Sequence, residues 1–230
     1  MDEFRESGLF RKFWIVTAIS FLVTASAYVW IPSIRIPLLR ENSFLESLTA
    51  LFFFLVVILG TKTLLEKRSK KYPMIFWIIP LLGLLGFLEE TSFGHRFLDY
   101  NRPTIQGVKM DAVHDFLRVF IAMFKSGDNG LLIAITAAGL GLLAACLWLW
   151  LRKCGFRSIL KQIDASPALK FTGLCIGFLL LAGVLDLDVF THHFSWFLEE
   201  FLETTAGLSL VFSCFSLRNE LSYRSEENEV

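Results

Sequence analysis

The sequence has little of what a nucleic-acid binder or a disulfide-stapled secreted domain is built from. Its 22 basic residues are matched by 22 acidic ones, so no cationic surplus exists to neutralise a phosphate backbone, and a nucleic-acid partner is excluded. Only four cysteines occur, Cys146, Cys154, Cys175 and Cys214, and none stands in a CxxC spacing. That excludes a disulfide framework and a thiolate metal site. There is no HExxH element, no internal repeat and no low-complexity stretch. Charge is missing altogether from six stretches: 13–30, 47–61, 72–88, 129–151, 171–185 and 204–217.

What fills those stretches decides the class. Hydrophobic residues make up 54% of the chain, 24 of its 230 residues are phenylalanine, and the mean hydropathy is +0.57. A soluble domain of this size has no interior large enough for that much apolar surface. A membrane span takes about 20 mostly apolar residues, and lipid offers no hydrogen-bond partners, so each span must be a helix. The expected fold is all-α, a polytopic bundle of six transmembrane helices over 13–30, 44–64, 73–93, 130–151, 168–188 and 195–217. Residues 1–12 and the acidic tail 218–230 are then the two ends outside the bilayer.

Lysine and arginine set the orientation. The N-terminus and the segments after the second, fourth and sixth spans carry 15 of them, against 7 in the three intervening segments. Both termini therefore face the cytoplasm, in a multi-pass protein of the cell (inner) membrane. Arg11-Lys12, the apolar stretch after them and Ala25-Ser26-Ala27 imitate a signal peptide. Its length and the flanking Trp14, Tyr28 and Trp30 favour a retained first span. In the long outer connection Met110, Val113, Leu117, Phe120, Ile121 and Phe124 recur at three- and four-residue steps. This spacing predicts an amphipathic helix over 110–125 on the outer surface.

Several spans are too short without charged residues. The uncharged 204–217 stretch covers about 21 Å of a roughly 30 Å hydrocarbon layer, so its helix must recruit Glu199, Glu200 and Glu203. The second span draws in Glu46, the third reaches Glu89 and Glu90, and the fifth draws in Asp186. Charges in hydrocarbon are costly unless they share a polar cavity or a partner, so these carboxylates are expected to meet in one outward-facing pocket. On a continuous third helix, Glu89, Ser92 and Arg96 share a stripe; on the sixth, Glu199, Glu200 and Glu203 can face inward together. All four histidines, His95, His114, His192 and His193, fall in outer segments.

Glu and His together suit a divalent metal such as zinc, which would neutralise the carboxylates and activate a water. The alternative is that the carboxylates pair with Arg96, Arg102 or Arg118 and hold the bundle's mouth together. Ser92 is either a nucleophile or, as is commoner for a helical serine, an interhelical hydrogen-bonder. Arg96 suits a phosphate or carboxylate group, or an ion pair with Glu89 or Glu203. Gly173-xxx-Gly177 and Ala137, Gly141, Ala145 are expected to let helices approach closely, within the bundle or in a homo-oligomer. Phe52-Phe53-Phe54 is expected to face lipid or to fill the core.

The stretch Glu89-Glu90-Thr91-Ser92-Phe93-Gly94-His95-Arg96-Phe97 resembles a motif, E-E-x-S-[WF]-G-[QH]-R, of a group of uncharacterised bacterial multi-pass membrane proteins. Ala112-Val113-His114-Asp115 is similar to a second element of that group, and Leu198-Glu199-Glu200 with Glu203 to a third. The resemblance covers about residues 85–215. It implies that Glu89, Glu90, Arg96, His114, Glu200 and Glu203 are the site residues; phenylalanine and histidine at 93 and 95 stand where the group has tryptophan and glutamine.

Three functions remain open on the sequence. The first is a membrane-embedded, metal-dependent hydrolase or transferase acting on a lipid or other amphiphile. In it His114, Glu200 and Glu203 would bind the metal (with Asp186, His192, His193 and Glu199 as further ligands), Glu89 or Glu90 would be the general base, and Arg96 the headgroup anchor. The second is a proton- or cation-coupled transporter or channel, which requires a polar path continuing inward past Leu85 and Leu210. The third is a non-catalytic sensor, scaffold or partner subunit.

Overall fold

A computed structural model of the chain describes residues 2–39, 43–66, 74–92, 104–105, 108–109, 156–186 and 193–227. Among them are seven α-helices: α1 (Asp2–Trp30), α2 (Pro32–Leu39), α3 (Phe44–Glu66), α4 (Ile78–Glu90), α5 (Phe156–Ala165), α6 (Pro167–Asp186) and α7 (His193–Glu227). A 3-10 turn, Met74–Trp77, leads into α4. Two short strands, Thr104–Ile105 and Val108–Lys109, pair antiparallel. The amphipathic helix expected over 110–125 and the span expected over 130–151 lie outside the described residues. The chain forms two compact units, Met1–Phe87 with Asp164–Val230, and Leu88–Ile163.

Among the described residues, three helices are long and apolar enough to cross a membrane: Gly8–Trp30 within α1, Phe44–Glu66, and Pro167–Leu185 within α6. Their outward sides carry large apolar residues, with Leu22 63%, Val23 62% and Leu180 68% exposed. Burial in lipid is what makes such a surface stable. The protein is thus a multi-pass α-helical membrane protein.

Local chemistry sets the helix ends. At the end of α1, Pro32 has no N–H to give the Tyr28 carbonyl four residues back, and Ile31 makes the last helical bond, to Ala27 O at 3.0 Å. Arg35 replaces the missing donor: its Nε reaches Tyr28 O at 2.8 Å and its Nη2 Val29 O at 3.1 Å. The same guanidinium lies over the Tyr28 ring, 5.3 Å from its centre. Pro80 acts likewise on α4. It leaves Phe76 O without its helical partner, and the chain before α4 winds as a 3-10 turn instead. Ser166 caps α6, accepting from Leu169 N at 3.3 Å, with Pro167 at the first helical position, where proline is favoured. The last helix does not stop at residue 217 as expected. No glycine or proline interrupts 218–227, so α7 continues to Glu227, and Leu221 in this extension is fully buried.

In the first unit, α7 is the hub. Its register with α3 is parallel: Thr204 meets Thr49, Gly207 meets Phe52, and Cys214 meets Val56. With α6 it is antiparallel, since Thr172 meets Ser213 while Ser166 and Ala168 meet Glu220. The aromatic residues of α1 run antiparallel along α7: Phe13 on Phe212, Phe21 on Phe201, and Tyr28 on Phe197. On α6, Phe10 stacks on Phe171 at 4.2 Å. The first turns of α4 run antiparallel to α3, with Pro80 beside Gly60 and Gly86 beside Phe53.

Ala137, Gly141 and Ala145 lie outside the described residues, and the GxxxG pair of α6 makes no close approach within the chain. Gly173 and Gly177 of α6 face open space, with nothing within 4 Å of an added Cβ. The tight contacts are on α4, where a Cβ at Gly83 would stand 2.7 Å from Val56 Cγ1 and one at Gly86 2.7 Å from the Phe53 ring. Phe53 and Val56 are themselves buried and have nowhere to move. Of the expected phenylalanine stretch, Phe53 is therefore core and Phe54, 44% exposed, faces outward.

The Glu220 carboxylate ties α7 to the first turn of α6, accepting from Ala168 N at 2.9 Å and from Ser166 Oγ at 2.9 and 3.0 Å. A carboxylate there is favoured by the helix dipole and fills an orphan donor.

Two predictions follow from this packing. Gly86→Ala will destabilise the protein by about 1–3 kcal/mol in reversible unfolding from detergent micelles, while Gly177→Ala will stay within about 0.5 kcal/mol of wild type. Glu220→Ala will cost about 1–2 kcal/mol in the same assay, and Ser166→Ala introduced on top of it will cost little more, because the two share one cap.

Candidate functional site

Glu199, Glu200 and Glu203 lie on the first turns of α7, between Phe197, which packs on Tyr28 near the end of α1, and Thr204, which meets Thr49 near the start of α3. At 100° per residue they fall within about 100° of arc on one flank of the helix, and all three are half-buried. Continuous helix from His193 onward is what aligns them, as the spacing predicts. His193 is the first residue of α7 and Asp186 the last of α6; their side chains lie outside the described set, as do His192, His114, His95 and Arg96.

Glu46 has a plainer role. Ser43 Oγ accepts from Glu46 N at 3.1 Å, and the Glu46 carboxylate accepts from Ser43 N at 3.3 Å. This reciprocal pair is a capping box that starts α3. Its signature, Ser43-Phe44-Leu45-Glu46 ahead of an apolar stretch, is legible in the sequence.

Glu89 and Glu90 belong to the second unit and close α4. Glu90 and Thr91 are buried, Glu89 half-buried. The helix expected to run through residue 93 stops at Glu90. Ser92 sits at φ 47°, in the left-handed region, which a non-glycine residue adopts at a cost of roughly 1–2 kcal/mol. The turn removes the helical stripe that was to carry Glu89, Ser92 and Arg96 together. Backbone strain of this kind concentrates at functional sites and tight turns.

Beyond the carboxylates, the buried polar groups are hydroxyls. Thr204, Thr205, Ser209, Ser213 and Ser216 of α7 are all buried and extend past Leu210 toward Glu220. Most are bonded to the helix backbone: Thr204 to Glu200 O at 2.9 Å, Thr205 to Phe201 O at 2.8 Å, Ser209 to Ala206 O at 2.7 Å, and Ser213 across to Ala168 O at 2.7 Å. Thr49 and Thr204 lie 2.8 Å apart, and Thr49 also reaches Leu45 O at 2.9 Å. Two hydroxyl protons thus serve three contacts, so one threonine donates to its own helix and the other donates across. Their signal in the sequence is the i, i+4 recurrence of Thr205, Ser209 and Ser213.

Among the described residues, no group of three His, Cys, Asp or Glu side chains is placed to hold a metal ion. The chemistry on view is that of half-buried acids on α7, a buried acid at the end of α4, and a seam of hydroxyls. No family model matches the chain, nor does any curated protein or solved structure.

A double-mutant cycle on Thr49→Val and Thr204→Val is expected to give a coupling energy of about 0.6 kcal/mol, and no more than about 1.7, in unfolding from micelles. A value of zero would mean the hydroxyls do not hold α3 to α7.

Proposed function

We propose that the protein is a six-span membrane protein with both termini in the cytoplasm and an acidic site open to the outer face, acting as a metal-dependent hydrolase or transferase on a lipid or other amphiphile. Helix direction within the first unit fits this scheme. The starts of α1, α4 and α6 and the far ends of α3 and α7 lie at one end of that unit. The six-span scheme has one further crossing between α4 and α6. The uncharged stretch 129–151 is the long apolar segment available for that crossing. The amphipathic 110–125 helix belongs to the outer connection of the same scheme. Exposed Arg11, Lys12, Lys62 and Arg218 lie toward the end that holds Glu220, which favours placing that end in the cytoplasm.

The observation that carries the site is the half-buried trio Glu199, Glu200 and Glu203 at the opposite, outer end of α7. A cluster of acids at that depth is suited to holding a cation or a proton. In this reading Glu200 and Glu203 are ligands, joined by His114 and by some of Asp186, His192, His193 and Glu199. Glu89 or buried Glu90 is the general base, and Arg96 holds the headgroup. The resemblance to proteins with the E-E-x-S-[WF]-G-[QH]-R motif belongs with this reading, because it nominates the same residues. The hydroxyls that continue past Leu210 favour transport less. Thr204 and Ser213 bond to the neighbouring helices, and Thr205 and Ser209 to their own helix, whereas a conducting path would need them wet.

Elemental analysis of the purified protein beside Glu200→Gln tests the proposal. The expected result is about one equivalent of zinc or another divalent metal in wild type and its loss in the variant, with both proteins folded. Absence of metal from both removes the catalytic mechanism and leaves the sensor or partner-subunit reading.

A further inference from the structure

The stacked pair Phe10 and Phe171, with ring centres 4.2 Å apart at 11°, brings the first turns of α1 and α6 together at the basic end of the bundle. The residue after Phe10 is Arg11 and the residue before Phe171 is Lys170, so the stack holds two cations from two helices at one depth. Helical geometry places them on the same side of the joint. Arg11 lies one turn before Trp14, and Trp14 packs edge-on against Phe178 of α6, 6.3 Å between centres. Lys170 lies on the flank of α6 turned away from Thr172, the residue that meets α7. Arg11 is exposed, Lys170 is half-buried and Trp14 is 48% exposed. Cations at the ends of two packed helices, a phenylalanine stack between those helices and an indole one turn deeper make a combination suited to a phosphate above and an acyl chain below.

We propose that the α1–α6 joint, with Arg11 and Lys170 beside its phenylalanine stack and Trp14 one turn deeper, is a binding site for the headgroup of an anionic phospholipid. Arg11 supplies the planar fork that matches phosphate oxygens and Lys170 a second point charge. The site is separate from the acidic cluster, which lies at the other end of α7. Only its assignment to the cytoplasmic leaflet rests on the orientation given above; the site itself does not, and its test is independent of metal content.

Native mass spectrometry of the full chain, reconstituted in mixed phosphatidylglycerol and phosphatidylcholine, reads bound lipid directly. Wild type is expected to retain phosphatidylglycerol in preference to phosphatidylcholine. Arg11→Gln and Lys170→Gln are each expected to weaken that retention about fivefold, and together on the order of thirtyfold. Lys62→Gln, which removes an exposed cation paired with Glu66 on α3, should leave it unchanged. Equal retention of both lipids by wild type, or loss caused as readily by Lys62→Gln as by Arg11→Gln, would overturn the proposal. Should the double variant fold poorly, the wild-type protein still decides. Phosphatidylglycerol brominated near the glycerol should quench the fluorescence that Trp14→Phe removes more strongly than brominated phosphatidylcholine does, and equal quenching would refute a specific anionic site.

Discussion

Lipid cannot hydrogen-bond, and the arrangement of the first unit follows from what that does to α7. This helix carries Thr204, Thr205, Ser209 and Ser213 through the stretch that has to sit in hydrocarbon. Exposed to acyl chains, hydroxyls gain nothing; turned inward, they bond to the backbone or to the next helix. The most polar of the long helices is therefore the most enclosed, and α1, α3 and α6, far more apolar, surround it. Each neighbour is held by a different chemistry. The hold on α3 is a threonine pair, on α6 a serine–threonine contact with a carboxylate cap, and on α1 a column of aromatic rings.

Because apolar surface is no asset between helices in a membrane, closeness has to come from small residues and shape. Gly83 and Gly86 supply it for α4 against α3, where any side chain would meet Val56 or Phe53. The glycines of α6 at 173 and 177 are open by contrast, although their GxxxG spacing is the stronger pattern on paper. A spacing rule reports only that a face could pack closely; which face meets a neighbour depends on the rotation of each helix about its axis, and that rotation is set by all the contacts at once.

The candidate site shows the same division. The trio on α7 was legible because three acids at i, i+1 and i+4 on any continuous helix share a flank, and α7 is continuous there. The stripe of Glu89, Ser92 and Arg96 failed because it assumed helix beyond Glu90, whereas Ser92 turns left-handed with no glycine or proline of its own to announce it. Glu46 was legible in a different sense: its capping-box spacing was present in the sequence, and the carboxylate serves the start of α3.

By itself the sequence determined that this is a helical, multi-pass membrane protein, because charge-free stretches of that length have one stable environment and one backbone conformation available to them. It also determined where most of those helices begin, since Pro32, Pro80, Ser43-Phe44-Leu45-Glu46 and Ser166-Pro167 act within a turn of themselves. The tertiary structure alone decided that α7 is the hub, that Glu220 caps a helix more than fifty residues earlier, and that Phe10 and Phe171 stack and bring the first turns of α1 and α6 together. Those outcomes depend on register and rotation between segments far apart in the chain, and no local pattern of residues encodes either.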